Sequence, residues 1–290
     1  MNDNNINTNN PQRREKRPDW LKIKPPSGEN FAKVKSMLKE NSLNTVCKEA
    51  NCPNLADCWN CGTAAFMILG DTCTRNCKYC SVTPGKPLPP DENEPQNLAN
   101  SIKTMKLRHA VITSVTRDDL ADSGAAFWAK VITEAKKENP NTTIEVLIPD
   151  FKGQDDLLKI VFDAKPDILN HNVETVPSVF PIVRPQAQYK RSLYVLQKAK
   201  EDGFTTKSGI MVGLGETFEE IIETMRELRE IGVDIFTAGQ YLQPSKSHYP
   251  VQRYVRPEEF KEIKRIGLEL GFKHVDAGPL VRSSYHAEMH

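Results

Sequence analysis

Residues 62–80 read GTAAFMILGDTCTRNCKYC: an apolar run, Ala65–Leu69, passes through Gly70 into cysteines at positions 73, 77 and 80. A short apolar run bounded by Gly and Asp predicts a buried strand. Further runs of the same kind follow at Ala110–Val115, Ile144–Ile148, Ile168–Asn172, Lys207–Val212 and Ile235–Tyr241. Between them lie amphipathic stretches such as Phe127–Lys137, Asp155–Ala164, Ser192–Glu201, Glu219–Ile231 and Glu258–Leu270, several introduced by Ser, Asp or Pro start signals. Six strand–helix alternations imply a parallel sheet with right-handed crossovers. Six units without a seventh predict an α/β fold, a partial (β/α)6 TIM-like barrel and not a closed eight-fold one. Ligand sites in such sheets lie at the C-terminal strand ends, and the cysteines after the first strand fall on that face.

Working upstream, Cys47–Cys61 contains Pro53 and no sustained period, which predicts a loop shaped by bound metal. Phe31, Val34 and Leu38 predict a short helix over Glu29–Lys39, and Trp20, Pro25, Pro26 and Gly28 a wrapping connector. Residues 1–19 are Asn-rich and then basic (RREKR), with almost nothing to bury, and are expected to form a disordered tail. Its Arg13, Arg14, Lys16 and Arg17 suit a solvated tail or a guide for an acidic partner. The expected organisation is therefore tail 1–19, extension 20–62, barrel 63–272 and closing segment 273–290.

The chain's 290 residues carry a net charge of +1 with both signs interspersed, which gives no field favouring nucleic acid or an anionic membrane. It lacks an apolar run of transmembrane length and an apolar leader, so a cytoplasmic location is expected. In a reducing compartment seven cysteines, six of them between Cys47 and Cys77, point to metal and not to disulfides.

Three thiolates spaced three and two residues apart leave two readings. Structural zinc needs a fourth protein ligand, whereas three cysteines on a [4Fe–4S] cluster leave one iron open to an exogenous molecule. The C-x3-C-x2-C spacing, with Tyr79 before the last cysteine and a strand leading in, resembles the radical S-adenosylmethionine superfamily. That resemblance implies that the methionine amino and carboxylate groups chelate the open iron of a cluster on Cys73, Cys77 and Cys80. It also implies one-electron cleavage of the sulfonium to a 5′-deoxyadenosyl radical, the protein serving to position the cofactor.

The second set, Cys47-x4-Cys52-x5-Cys58 in CKEANCPNLADCWN, narrows the resemblance to the lipoyl synthase family. VTRDDLADSGA, KSGIMVGLGET, GQYLQPS and the terminal GPLVRSSYHA are similar to segments of that family. The resemblance implies a second [4Fe–4S] cluster on Cys47, Cys52 and Cys58 with Ser284 as fourth ligand. A second cluster beside a radical generator suits an electron relay, a structural clip or a sulfur source. An iron on a hard serine oxygen favours the last. The family then implies sulfur insertion at carbons 6 and 8 of a protein-bound octanoyl-lysine, with two molecules of S-adenosylmethionine consumed. Those methylenes are beyond any side-chain base, so no catalytic residue is expected beyond the cluster ligands.

Implied partners are octanoylated lipoyl carrier domains, such as glycine-cleavage H protein or E2 subunits of 2-oxo acid dehydrogenases, and a low-potential ferredoxin or flavodoxin. A monomer is expected. Cofactor contacts are expected from Ser114, Asn172, Glu174, Met211, Gly213 and Tyr241, with Gly209, Gly215 and Glu216 in the same glycine-rich turn and Arg117 and Gln243 placed similarly. Tight-turn and helix-capping roles compete for these residues. His171 is expected to be structural, and Cys61 a bystander. The rival readings are another radical enzyme with an auxiliary cluster, a methylthiotransferase or maturase, and a non-catalytic iron–sulfur protein.

Overall fold

The run that opens the cysteine loop is a strand, Ala65–Ile68, buried at every position, as a strand covered on both faces requires. The computed structural model describes residues 17–22, 32, 35, 36, 43–45, 52, 54, 55, 58, 65–284 and 287. In chain order the strands are β1 (Asn44–Thr45), β2 (Ala65–Ile68), β3 (Thr72–Cys73), β4 (Thr83–Pro84), β5 (His109–Ser114), β6 (Thr143–Leu147), β7 (Ile168–Asn170), β8 (Thr205–Val212), β9 (Ile235–Gln240) and β10 (His274–Gly278). The helices are α1 (Glu94–Met105), α2 (Ala125–Glu138), α3 (Asp155–Asp163), α4 (Phe180–Val183), α5 (Tyr189–Glu201), α6 (Phe218–Glu230) and α7 (Pro257–Glu269). One sheet runs in the open order β1-β2-β5-β6-β7-β8-β9-β10, and β3 pairs with β4 apart from it. From β2 to β10 neighbours are parallel; β1 is antiparallel to β2.

The six expected strands are present with ends displaced by one or two residues, and six strand–helix units wind the sheet. Several elements go beyond the sequence pattern, among them α1 and β10. Helix α1 buries the apolar Leu98, Ala99 and Ile102, with Pro95 at its start and Glu94 and Ser101 beside them, from an otherwise polar sequence. Strand β10 extends the sheet past residue 272 on one buried anchor, Val275. Of the predicted helix Glu29–Lys39 only Ala32, Lys35 and Ser36 are described, all helical; residues 1–16, Cys47 and Cys61 lie outside the described residues.

Charged residues on the strands face inward. Lys207 lies beside Asn170 in the register of β7 and β8, and its Nζ is 2.8 Å from Glu145 Oε1. Asn170 Nδ2 donates to the same carboxylate at 3.0 Å, and His109 Nε2 lies 3.1 Å from its other oxygen. Burial pushes the Glu145 carboxyl up, but the Lys207 ammonium and the His109 hydrogen bond outweigh it and hold the group at about 2. Because side chains alternate along a strand, Lys207, Gly209 and Met211 share the interior face of β8. The ion pair is thus a polar layer beneath Gly209 and Met211.

Candidate functional site

β2 ends in a left-handed turn, with Leu69 at φ 67° and Gly70 at φ 92°. The buried Glu94 carboxylate accepts the Leu69 N–H at 2.7 Å and secures that turn. The cysteine loop follows, fastened on several sides. Arg75 places Nε 2.7 Å from Asp118 and Nη2 2.7 Å from Asp150, after β5 and β6 respectively. Thr74 Oγ1 donates to Thr116 O at 2.9 Å, and Lys78 N–H to Val183 O, in α4, at 2.9 Å. On the far side Tyr249 N–H donates to Lys78 O at 2.8 Å, and His248 Nε2 lies 2.9 Å from Cys80 O.

Within the loop, Thr116 and Arg75 direct backbone N–H groups at Cys73 Sγ, at 3.3 and 3.4 Å. Burial pushes the Cys77 thiol up, with the Arg184 guanidinium opposing. Burial and the neighbouring thiols push Cys80 up to about 12. Such burial disfavours the charged thiolates of Cys77 and Cys80 unless a cationic group joins them.

Beside the loop is a cleft lined by Asn172, Glu174, Gly209, Ile210, Met211, Thr237, Gly239, Val281, Arg282 and Ser283, with about 370 Å³ of empty space, part of it open to solvent. Glu174 reaches it at φ 69°, a left-handed conformation fixed by two backbone bonds to β8, to Gly209 O at 3.0 Å and from Met211 N at 2.8 Å. Burial pushes its carboxyl up, against the Arg184 guanidinium and hydrogen bonds with Asn172 and Tyr79. Gly209 keeps the cleft open, since a Cβ there would stand 2.2 Å from Thr237 Oγ1. Asn172 Nδ2 donates to Ser283 Oγ at 3.1 Å, and its buried Oδ1 has no partner among the described residues. Arg184, 8% exposed, donates from Nη1 to Asn172 O at 3.2 Å and leaves its buried Nε without a partner among them.

The opposite wall is a strap, residues 279–283. It crosses β9 at Gly239, where a Cβ would stand 2.0 Å from Val281 O, and Gln240 N–H donates to Pro279 O at 3.3 Å. The strap reaches the second cysteine segment: Asn54 Nδ2 donates to Leu280 O at 2.7 Å. Beyond Ser284, Ala287 is buried with Ala65 and Val111, where Cys52 and Leu55 pack on it. Arg282, whose guanidinium burial pushes down, feels an opposing effect from the Cys52 thiol. Ser284 therefore lies between two contacts to the Cys52–Cys58 segment.

Of the expected cofactor contacts, Asn172, Glu174 and Met211 line the cleft and Ser114, Gly213 and Tyr241 do not. Ser114 Oγ accepts Trp128 Nε1–H at 3.2 Å. The Gly213 and Leu214 N–H groups are taken by the Glu216 carboxylate, at 2.6 and 2.9 Å, so this turn is closed on itself. Tyr241 is buried with its hydroxyl on Tyr249 O at 2.6 Å, and Gln243 Nε2 donates to His248 O at 2.8 Å; both hold the connection that clamps the cysteine loop. Arg117 is buried against Asp119. His171 is structural: Nδ1 lies 2.8 Å from Ile148 O and Nε2 3.0 Å from Ser192 Oγ, and burial lowers it to about 4. Sequence reasoning missed Thr237, Gly239 and Arg184. Gly239 lay within the quoted GQYLQPS and Arg282 and Ser283 within RSSY, whereas Arg184 in VRPQ carried no signal.

A family model of the radical SAM superfamily matches residues 67–228. A model of the N-terminal domain of lipoyl synthase of that family matches residues 1–52. Lipoyl synthase of Rubrobacter xylanophilus is 56% identical over 273 residues, 93% of this chain and 85% of that one. Lipoyl synthase of Treponema denticola is 53% identical over 276 residues, 95% of each. Among solved structures, Streptococcus suis SuiB bound to precursor peptide SuiA superposes with a TM-score of 0.57 at 11% identity, over 85% of this chain and 52% of that one, a likeness of fold alone.

Proposed function

The chain belongs to the lipoyl synthase family of the radical S-adenosylmethionine superfamily, and from that premise we propose how its residues divide the work. The reaction is sulfur insertion at carbons 6 and 8 of an octanoyl chain on a carrier-protein lysine, with S-adenosylmethionine and two [4Fe–4S] clusters as cofactors. When bound, the first cluster and S-adenosylmethionine supply a hydrogen-abstracting radical and the second cluster supplies sulfur.

In this division Cys73, Cys77 and Cys80 hold the first cluster, and Cys47, Cys52, Cys58 and Ser284 the second. Asn172, Glu174 and Met211 contact S-adenosylmethionine; the unpartnered Asn172 Oδ1 accepts from one of its donors. Arg184, with its unused Nε–H, steadies the methionine carboxylate. Ser114, Gly213 and Tyr241 act from behind, holding the strand ends and the clamping connection. The extension around 20–62 and the segment from 273 to 290 close the site, and the acyl chain enters at the strand ends while its carrier stays outside. A low-potential ferredoxin or flavodoxin supplies the electron. The chain works as a monomer in the cytoplasm, and no described helix is long and apolar enough to cross a membrane.

The observation that supports this division is a cleft between two cysteine segments: Glu174, on one wall, acts electrostatically on Cys77 and Cys80, and Arg282, on the other, feels Cys52. The test is anaerobic reconstitution with S-adenosylmethionine and an octanoyl-lysine peptide, followed by mass spectrometry. Ser284→Ala is expected to keep cleavage of S-adenosylmethionine and lose sulfur transfer, whereas Cys73→Ala loses both. Equal loss of both activities in Ser284→Ala would remove that serine from the second cluster.

A further inference from the structure

Asn54 sits in the turn between Cys52 and Cys58 and is 2% exposed. Its two ends serve different parts of the chain. The backbone carbonyl accepts the N–H of Cys58 at 2.9 Å, and the N–H of Leu55 closes on Cys52 O at 3.3 Å, so the residue is part of the scaffold that spaces the two thiols. Its side-chain amide donates at 2.7 Å to Leu280 O, 226 residues away. Leu280 is four residues before Ser284, and Ala287, three after it, is buried in a cluster with Ala65 and Val111 against which Cys52 and Leu55 pack. A serine oxygen is a harder ligand for iron than a thiolate. Among the described residues, the chain before Ser284 is tied to the sheet by Gln240 N–H on Pro279 O and by Asn172 Nδ2 on Ser283 Oγ, while the Asn54 amide on Leu280 O ties it to the cysteine segment itself.

We infer that Asn54 is a positioning residue of the sulfur-supplying site: its amide grips the strap at Leu280 and so presents Ser284 to the Cys52–Cys58 segment. This rests on the assignment of Ser284 to the second cluster made above. Asn54 touches neither substrate nor iron in this role. Loss of its donor lets the strap withdraw and opens the serine-ligated iron to exchange.

The test follows iron release to a chelator from the full-length chain carrying Cys73→Ala, Cys77→Ala and Cys80→Ala, so that only the second cluster is read. Asn54→Ala, which removes the donor, and Asn54→Asp, which keeps the shape, are each made with Ser284 intact and with Ser284→Ala. Both are expected to speed release about five-fold with Ser284 intact, the equilibrium worth of one net hydrogen bond, and to change nothing further once Ser284 is gone. Hydrogen exchange of the iron-free chain gives a second readout, in which amides of 280–284 lose protection in both Asn54 variants while those of β8 and β9 keep theirs. Wild-type release rates in the Asn54 variants overturn the inference alone, as does an acceleration of equal size with and without Ser284. An unchanged rate in Ser284→Ala by itself rejects the ligand assignment, and the inference with it.

Discussion

At the scale of single residues, the deepest charges decide the most. Lys207 and Glu145 are both fully buried and 2.8 Å apart, and removing one partner strands the other without water. Lys207→Met is expected to cost about 3–5 kcal/mol in urea denaturation, and a cost under 1 kcal/mol would show that His109 and Asn170 suffice for the carboxylate. The pair also sets an acid limit. Glu145 is held at about 2 when folded, against its ordinary 4.5, so its contribution is complete above pH 4.5 and lost as pH falls toward 2. Glu145→Gln should flatten the stability curve across that window, and an unchanged slope would assign acid sensitivity to other carboxyls. Gly239 matters for space: Gly239→Ala sets a Cβ 2.0 Å from Val281 O, and backbone cannot yield as a side chain does. The expected cost is about 1–3 kcal/mol, with faster proteolysis after residue 278; wild-type stability would mean the strap shifts freely.

At the scale of elements, the cysteine loop is held by its neighbours more than by its own hydrogen bonds. Arg75 ties it to the turns after β5 and β6 through Asp118 and Asp150, and its planar fork is what permits both bonds. Arg75→Lys is expected to retain the fold yet lower the affinity for S-adenosylmethionine about ten-fold, one lost charge-assisted bond, measured by equilibrium dialysis; unchanged affinity would make the fork dispensable. The elements differ in how plainly the sequence announces them. β2, β5 and β9 are buried over almost their whole length and read directly as apolar runs. Helix α1 buries a narrow stripe of Leu98, Ala99 and Ile102, and β10 only Val275; periodicity is faint where one or two anchors suffice. The same logic divides the site. Cysteine spacing is local and legible, but Arg184 acts on the thiols across the fold, and the N–H groups of Gly213 and Leu214 go to the Glu216 carboxylate of their own turn. No local pattern announces either.

At the scale of the molecule, one sheet supports both cysteine segments, yet they depend on it differently. The loop at 73–80 is held by residues spread through the barrel, whereas the Cys52–Cys58 segment meets the strap and Ala287. Ending the chain after residue 278 is expected to leave the sheet folded, keep cleavage of S-adenosylmethionine and roughly halve bound iron, read by iron assay and circular dichroism; full iron content would show that the C-terminal segment holds none. The alternation of strand and helix was enough to foresee this architecture, but the meeting of the chain's two ends rested on a resemblance, because contacts 226 residues apart leave no periodic trace. That meeting also orders events at the ribosome. The barrel and its first cysteine loop are complete in sequence before the strap emerges, while Asn54, made early, waits for Leu280. A nascent chain thus carries the loop at 73–80 and the strands that hold it well before residue 280 is made, whereas the Asn54–Leu280 contact can form only afterwards.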